Sequence, residues 1–259
     1  MINRNWVAGI ALVLALTGAV AMGQGRLIAV DSSRALYEID MMTGAKTQIG
    51  TVSSNASTCA GLAFDRFNGI VYLSSTGNDS VYTLDLETGQ ATLIGAYGSS
   101  AFVMHGLEFD ESTGTLYGVS SHDNGLYNID KATGLATLIG TSGLSSFTNL
   151  GYNCDTDVMY ATNSGADSFY IMDRATGAVT LVGPLNGPTN PNGLAYNWDN
   201  QKLYLVDNST DNLYTIDMNT GLATLIGSTG SGNLLGLVYI PEPASLLMLV
   251  ATFGLLRRR

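Results

Sequence analysis

The two histidines of this chain lie 17 residues apart, and both have acidic neighbours. His105 is followed three residues later by Glu108, and Asp123 comes directly after His122. Imidazole nitrogens and carboxylate oxygens are ligands that divalent transition metals accept. Because two histidines and an acid also occur together in loops by chance, the grouping is not sufficient to predict a metal or any other cofactor. It does mark these four residues as candidates for ligand binding.

Glu108 is also the residue that could support acid–base catalysis. A carboxyl group can serve as a general acid or base, and glycan-cleaving enzymes use two of them. The chain contains no His-Glu-x-x-His, no Gly-x-Ser-x-Gly and no phosphate-binding glycine loop. We therefore predict a protein that is not an enzyme. The alternative is a glycan hydrolase or lyase that uses Glu108 with a loop acid such as Asp123 or Asp79.

The elements that position these residues belong to a repeat with the consensus Leu-Tyr-x-Ile-Asp-x-x-Thr-Gly-x-Ala-Thr-Leu-Ile-Gly. Its five tyrosines, spaced by 45, 45, 43 and 44 residues, are Tyr37, Tyr82, Tyr127, Tyr170 and Tyr214. Each repeat forms one hairpin, and a second hairpin precedes it. Four short strands in a period of this length are typical of a β-propeller blade. We name them a, b, c and d from the axis outward.

The ends of the repeat region predict how the ring closes. The first repeat lacks strand a, since residues 27–30 already form strand b. A lone strand a, residues 236–240, follows the fifth repeat and can fill this gap. Closure of this kind removes free sheet edges. The prediction is an all-β fold: a five-bladed β-propeller with four antiparallel strands per blade, closed by pairing the C-terminal strand with the N-terminal blade.

The repeated Asp-x-x-Thr-Gly is interpreted as a turn between strands c and d. An Asp side chain accepts hydrogen bonds from turn amides, and glycine adopts the positive φ that such turns need. Five equivalent calcium sites are the alternative, although each turn offers a single acid. The five acids are Asp40, Asp85, Asp130, Asp173 and Asp217.

The loops that join d to a and b to c share one face of such a fold, around the mouth of its channel. Binding residues generally lie on loops that a rigid scaffold holds. These loops are rich in Ser, Asn, Asp and Gly, which suits a glycan or a protein surface. We expect His105 just before strand a and Glu108 along the channel. The candidate ligand-binding residues are His105, Glu108, His122, Asp123, Asn78, Asp79, Asn163, Asp167, Asn208 and Asp211.

The charge of the repeat region argues against a nucleic-acid partner. Residues 24–240 contain seven Lys and Arg and twenty Asp and Glu, a net charge of −13. A surface of this sign repels phosphate backbones. Cys59 and Cys154 are expected at opposite ends of their strands, so no disulfide is predicted between them.

The N-terminal residues 1–23 have the pattern of a secretory signal peptide. Arg4 lies in a short polar start, residues 6–21 are mostly apolar, and small residues follow. Signal peptidase is therefore an expected partner during export. The predicted domains are the signal peptide 1–23, the propeller 24–240 and a tail 241–259.

The tail has three parts: Pro241-Glu242-Pro243, an apolar run over residues 244–256, and Arg257-Arg258-Arg259. This run of 13 residues is short for a span, which takes about 20 residues. This order resembles the PEP-CTERM sorting signal of Gram-negative bacteria, a segment also called the ice-binding protein C-terminal domain. The resemblance implies an exosortase as partner and transient anchoring in the inner membrane through 244–256. Release to the outer surface or an exopolysaccharide matrix would follow.

Together these features predict a secreted or surface-located propeller that binds a glycan or another protein without catalysis. Besides the Glu108 hydrolase or lyase, the second alternative is a structural matrix protein without a defined ligand.

Overall fold

The computed structural model describes residues 25–241, which form five four-stranded antiparallel sheets. The predicted signal peptide and the tail beyond Pro241 lie outside these residues. No stretch of helix in residues 25–241 has the length and apolar character that a bilayer span requires.

Each sheet is one blade, with its strands in the order a, b, c, d. The first blade consists of β20 (Leu234–Ile240), β1 (Arg26–Asp31), β2 (Ala35–Ile39) and β3 (Lys46–Thr51). The second consists of β4 (Cys59–Asp65), β5 (Ile70–Ser75), β6 (Ser80–Leu84) and β7 (Ala91–Ala96). The third consists of β8 (Met104–Asp110), β9 (Thr115–Ser120), β10 (Gly125–Ile129) and β11 (Ala136–Thr141). The fourth consists of β12 (Phe147–Asn153), β13 (Val158–Asn163), β14 (Ser168–Met172) and β15 (Val179–Pro184). The fifth consists of β16 (Pro191–Asn197), β17 (Lys202–Asp207), β18 (Asn212–Ile216) and β19 (Ala223–Ser228).

The ring closes as the repeat count predicts, so the fold class is confirmed. Strand β20 pairs with β1 over its whole length, from Arg26 opposite Ile240 to Asp31 opposite Leu234. The a strands contact one another in the cyclic order β20, β4, β8, β12, β16. Both ends of the described chain therefore contribute to one blade.

The core lies between neighbouring blades. Strands a and b are buried along nearly their whole length, whereas the d strands alternate between exposed and half-buried residues. A leucine at the fourth position of every strand a is buried in these interfaces: Leu62, Leu107, Leu150, Leu194 and Leu237. The innermost strands are thus held from both sides, which fixes the side chains that face the axis.

The turns between strands c and d confirm the structural interpretation of the repeated aspartate. Asp40 accepts the backbone N–H groups of Met42 at 2.7 Å and Thr43 at 3.0 Å. These two bonds hold the pKa of Asp40 below its usual value. Gly44 closes the turn at a φ of 78°. The same pair of bonds is made by Asp85, Asp130, Asp173 and Asp217.

The two cysteines are free, and they lie where the sequence places them. Cys59 is the first residue of β4 and is buried, whereas Cys154 directly follows β12. Burial is the main cause that raises the pKa of Cys59 to about 12 and that of Cys154 to about 11. Both thiols are therefore protonated at neutral pH.

Candidate ligand-binding site

One end of the channel, the upper mouth, is surrounded by the d–a and b–c loops. In every blade the first residue after strand b donates its backbone N–H to the carbonyl of the residue that precedes strand a. The bond from Thr76 to Thr58 is 3.0 Å long, and its counterparts range from 3.0 to 3.2 Å. This repeated contact holds an outer ring of side chains at the mouth: Ser32, Thr58, Thr76, Ser121, Ser146, Ser164, Asn190, Asn208 and Asn233.

An inner ring lies below, formed by the second residue of each strand a. Its members, in cyclic order, are Leu235, Ala60, His105, Thr148 and Asn192. All but Ala60 line the cavity, which has a volume of ≈ 560 Å³. Among residues 25–241, no Asp, Glu, Lys or Arg lines it. The mouth is thus an uncharged, hydrogen-bonding cavity in a domain that carries many carboxylates.

Hydrogen bonds between side chains hold one sector of this mouth. Asn208 donates through Nδ2 to Oδ1 of Asn233 at 2.8 Å, and Asn233 donates to Oγ of Ser32 at 3.0 Å. Asn192 donates to the carbonyl of Asn190 at 2.9 Å. These bonds join the fifth blade to the first and order the amides before any ligand arrives.

His105 is part of this mouth, but its position differs from the prediction. It is the second residue of β8, not a loop residue before it. A bulge between Met104 and Gly106 shifts the pairing with β9 and allows the strand to extend past His105. Its Nδ1 is buried and has no hydrogen-bond partner among the described residues. Burial lowers the pKa of the imidazole, so it is neutral at pH 7.

Below the inner ring the a strands come into backbone contact. The third residue of strand a is glycine in four blades. A Cβ on Gly61 would lie 2.6 Å from the carbonyl oxygen of His105, and one on Gly193 would lie 2.5 Å from Cβ of Leu237. The fourth blade has Asn149 here, which donates to the carbonyl of Pro191 at 3.1 Å. This ring of close contacts forms the floor of the mouth.

Glu108 lies beyond this floor, so the structure separates it from His105. Its Oε1 accepts the N–H of Phe109 at 2.9 Å, and its Oε2 accepts the N–H of Tyr152 at 3.0 Å. Burial nevertheless raises the pKa of Glu108 well above its usual value. The space beside the carboxyl group has a volume of only ≈ 20 Å³, lined mainly by apolar residues such as Val238.

The lower end of the channel carries Arg66, which contacts three other blades. Its Nε lies 3.7 Å from Oε1 of Glu111, and its Nη1 lies 3.8 Å from Sγ of Cys154. The guanidinium also lies over the ring of Trp198, 5.4 Å from the centroid. Sequence reasoning did not identify this cluster, because each member lies in a different repeat.

Three of the predicted binding acids occupy turn positions. Asp79, Asp167 and Asp211 each precede strand c with φ between 45° and 51°, a conformation that Asn and Asp tolerate. The carbonyl of Asp79 accepts the N–H of Tyr97 at 2.9 Å, and that of Asp211 accepts the N–H of Thr229 at 2.8 Å. Their position is explained by turn geometry, and none lines the mouth.

Asn78 and Asn163 also stabilise turns. Asn78 donates to the carbonyl of Asn55 at 2.7 Å and to the hydroxyl of Tyr82 at 2.8 Å. Asn163, which is buried, accepts the N–H of Ala166 at 2.7 Å.

His122 and Asp123 are exposed on the b–c turn of the third blade. Asp123 accepts hydrogen bonds from the hydroxyl of Tyr127 and from the N–H of Gly125. Within residues 25–241 no three His, Cys, Asp or Glu side chains are grouped as metal ligands would be. Of the ten predicted residues, only His105 and Asn208 line the upper mouth.

Apart from Asn208, the hydroxyl and amide residues of the outer ring were not predicted, since the choice favoured histidines and the Asp and Asn residues of the b–c loops. A positional signal was nevertheless present. Each of these residues stands next to the end of a strand a or b, at the same place in every repeat. Aligning the repeats by position identifies Thr58, Ser146 and Asn190 as equivalents.

Comparison with known proteins supports the fold. No protein-family model matches the chain, and no curated protein matches it. Among solved structures, a chain from the crystal structure of a nidogen/laminin complex is similar with a TM-score of 0.60 and 14% identity, over 84% of this chain and 98% of that one. A chain from a structure described as "The de novo evolutionary emergence of a symmetrical protein is shaped by folding constraints" is similar with a TM-score of 0.56 and 21% identity, over 85% of this chain and 99% of that one. A structural genomics protein of unknown function from Bacteroides thetaiotaomicron is similar with a TM-score of 0.61 and 19% identity, over 86% of this chain and 63% of that one. At these identities the likeness extends to the fold alone.

Proposed function

We propose that this chain is a non-catalytic binding module that takes a neutral, hydroxyl-rich ligand, a glycan, in its upper mouth. The observation that carries the proposal is that Ser, Thr, Asn and His side chains of the two rings make up the whole lining of a ≈ 560 Å³ cavity except Leu235. Hydroxyl and amide groups both donate and accept hydrogen bonds, as sugar hydroxyls require. The residues that the structure describes contribute no charged side chain to the lining, which disfavours ionic ligands.

A glycan array probed with the full chain tests the proposal. Asn190→Ala removes a side chain that lines the mouth, and Asn219→Ala is the matched control on an exposed c–d turn. Loss of one hydrogen bond to the ligand should weaken binding about 2- to 10-fold in Asn190→Ala and leave Asn219→Ala unchanged. If the wild-type chain retains no glycan on the array, the proposal is wrong.

For the cellular setting we propose export through the signal peptide 1–23 and sorting through the tail 241–259. The support is the PEP-CTERM resemblance of Pro241-Glu242-Pro243, the apolar run and the three arginines. The chain would then act at the outer surface or in an exopolysaccharide matrix. Replacing Arg257, Arg258 and Arg259 with Ser should retain the chain in an unprocessed form, which immunoblotting of cell fractions detects. Processing that is unchanged in this variant would contradict the sorting proposal.

A hydrolase or lyase that uses Glu108 is the second candidate. The raised pKa of this carboxyl group favours it, since catalytic acids are commonly protonated by burial. Its space of ≈ 20 Å³ is too small for a sugar ring, and the second acid there, Glu111, pairs with Arg66. Glycan turnover that is lost in Glu108→Gln would favour this candidate. A chain that neither binds nor cleaves any glycan would favour a structural matrix role.

A further inference from the structure

The inner ring of the mouth has two apolar members and three polar members. Leu235 and Ala60 come from β20 and β4, which are neighbours in the ring. His105, Thr148 and Asn192 come from the three consecutive strands on the other side. Ala60 is fully buried and does not line the cavity, so a ligand that enters along the axis meets one apolar wall, the side chain of Leu235, and one polar wall.

The side chain of the apolar wall, Leu235, offers no hydrogen bond. Polar side chains of the first two blades nevertheless line the same cavity in the outer ring, namely Ser32, Asn233, Thr58 and Thr76. Leu235 is half-buried and is the one apolar residue that lines the cavity among the described residues. Ala60 beside it is fully buried, and its carbonyl oxygen lies against Gly236 of the neighbouring strand. A ligand hydroxyl pressed against this wall would lose its water without gaining a partner, which costs about 1–3 kcal/mol.

The polar wall offers mainly acceptors. Thr148 donates its hydroxyl proton to the carbonyl of Pro191 at 3.0 Å, and Asn192 donates from Nδ2 to Asn190. The hydroxyl oxygen of Thr148 also accepts from Nδ2 of Asn149 at 3.0 Å, which leaves it one lone pair. This lone pair, Oδ1 of Asn192 and the second ring nitrogen of His105 are left for the ligand. These atoms suit the O–H groups of a sugar.

We propose that the mouth selects a neutral sugar that carries a methyl group, with the methyl against Leu235 and the hydroxyls toward His105, Thr148 and Asn192. Two kinds of sugar share this chemistry: 6-deoxyhexoses and N-acetylhexosamines. The inference rests on the proposed function. A uronic acid is disfavoured because no cationic side chain in the described part of the chain lines the cavity.

Paired sugars test the selection on the full chain by calorimetry. L-fucose differs from L-galactose by one hydroxyl, and N-acetylglucosamine differs from glucose by the acetamido group. We expect the methyl-bearing member of at least one pair to bind about tenfold more tightly, and the pair that does so identifies the kind of sugar. Saturation-transfer NMR with the wild type should show the strongest transfer at the methyl protons.

Leu235→Asn replaces the apolar side chain with an amide like that of Asn192. This variant should lose the preference for the methyl-bearing sugar. Leu144→Asn, at an exposed leucine that does not line the cavity, is the control. Equal affinities within both pairs, or weak transfer to the methyl group, would overturn the inference while leaving glycan binding intact. Failure of every sugar to bind would overturn the proposed function as well.

Discussion

Gly44 of the first blade lies against Gly227 of the fifth. A Cβ on Gly44 would lie 2.5 Å from the carbonyl oxygen of Gly227, and one on Gly227 would overlap the carbonyl oxygen of Thr43. At four of the five blade junctions, the Thr-Gly of a c–d turn thus docks on the last glycine of strand d in the preceding blade. The same contact joins Gly95 to Gly134, Gly140 to Gly177 and Gly183 to Gly221.

The junction of the first and second blades departs from this pattern. There a Cβ on Gly89 would overlap the carbonyl oxygen of Thr51, not an atom of Gly50. A Cβ on Gly50 would lie 3.9 Å from its nearest neighbour, Cδ1 of Leu36, which is an ordinary contact distance. The segment with the 3-10 turn Ser54–Ala56 supplies the contact instead, because Asn55 donates to the carbonyl of Ala91 at 2.9 Å.

The first prediction compares two glycines at the same position of the repeat. Gly227→Ala should lower the free energy of unfolding by about 1–3 kcal/mol, because the methyl group overlaps the neighbouring turn. Gly50→Ala should be nearly neutral. Urea unfolding followed by circular dichroism measures both, and equal effects would show that the glycine contact is not what couples the blades.

The second prediction concerns Glu108 and pH. Its folded pKa is raised by burial, so the protonated form is favoured in the folded state. Stability from this group is therefore fully present below the unfolded pKa and is lost as pH rises toward the folded pKa. Glu108→Gln should become progressively more stable relative to the wild type from about pH 4.5 upward. A difference in unfolding free energy that does not change with pH would contradict the assignment.

The third prediction compares two arginines. Arg174 pairs with Asp110, whose side chain is completely buried, and its Nη2 lies 2.8 Å from Oδ1 of Asp157. Arg174→Ala leaves Asp110 without its cation and should lower stability by about 2–3 kcal/mol. Arg26 pairs with Glu38 at 2.8 Å, but both side chains are about 40% exposed. Arg26→Ala should cost less than about 1 kcal/mol, as thermal unfolding will show.

The fourth prediction concerns the c–d turns. Hydrogen bonds from the N–H groups of Thr88 and Glu87 lower the pKa of Asp85. A lowered folded pKa contributes stability above the unfolded value, which is lost as pH falls through the folded pKa. Asp85→Ala should therefore destabilise the fold at pH 7, and the part of the effect that comes from ionisation should disappear near pH 2. Glu87→Ala, an exposed acid in the same turn, is the control and should be silent at both pH values.

Much of the fold could be predicted from the sequence because its contacts are local along the chain. The spacing of Tyr37, Tyr82 and their counterparts counts the blades, since each blade folds from consecutive hairpins. The role of Asp40 follows from bonds to residues two and three positions later. The incomplete first repeat and the lone last strand together predict the closure.

The site could not be predicted in the same way. His105 and Glu108 are three residues apart, yet a bulge and the glycine contacts place them on opposite sides of the floor. Arg66 contacts Glu111, Cys154 and Trp198, and its separations from them along the sequence follow no local pattern.

What the sequence by itself determined is therefore the number of blades, their turns and their closure, because hydrogen bonds between neighbouring segments decide these. The tertiary structure alone decided that Leu235 lines one cavity together with His105, Thr148 and Asn192, which come from three other blades. That arrangement depends on the register of five inner strands around a common axis. The packing of the blades against one another sets this register, so it cannot be predicted from the residue spacing within a single repeat.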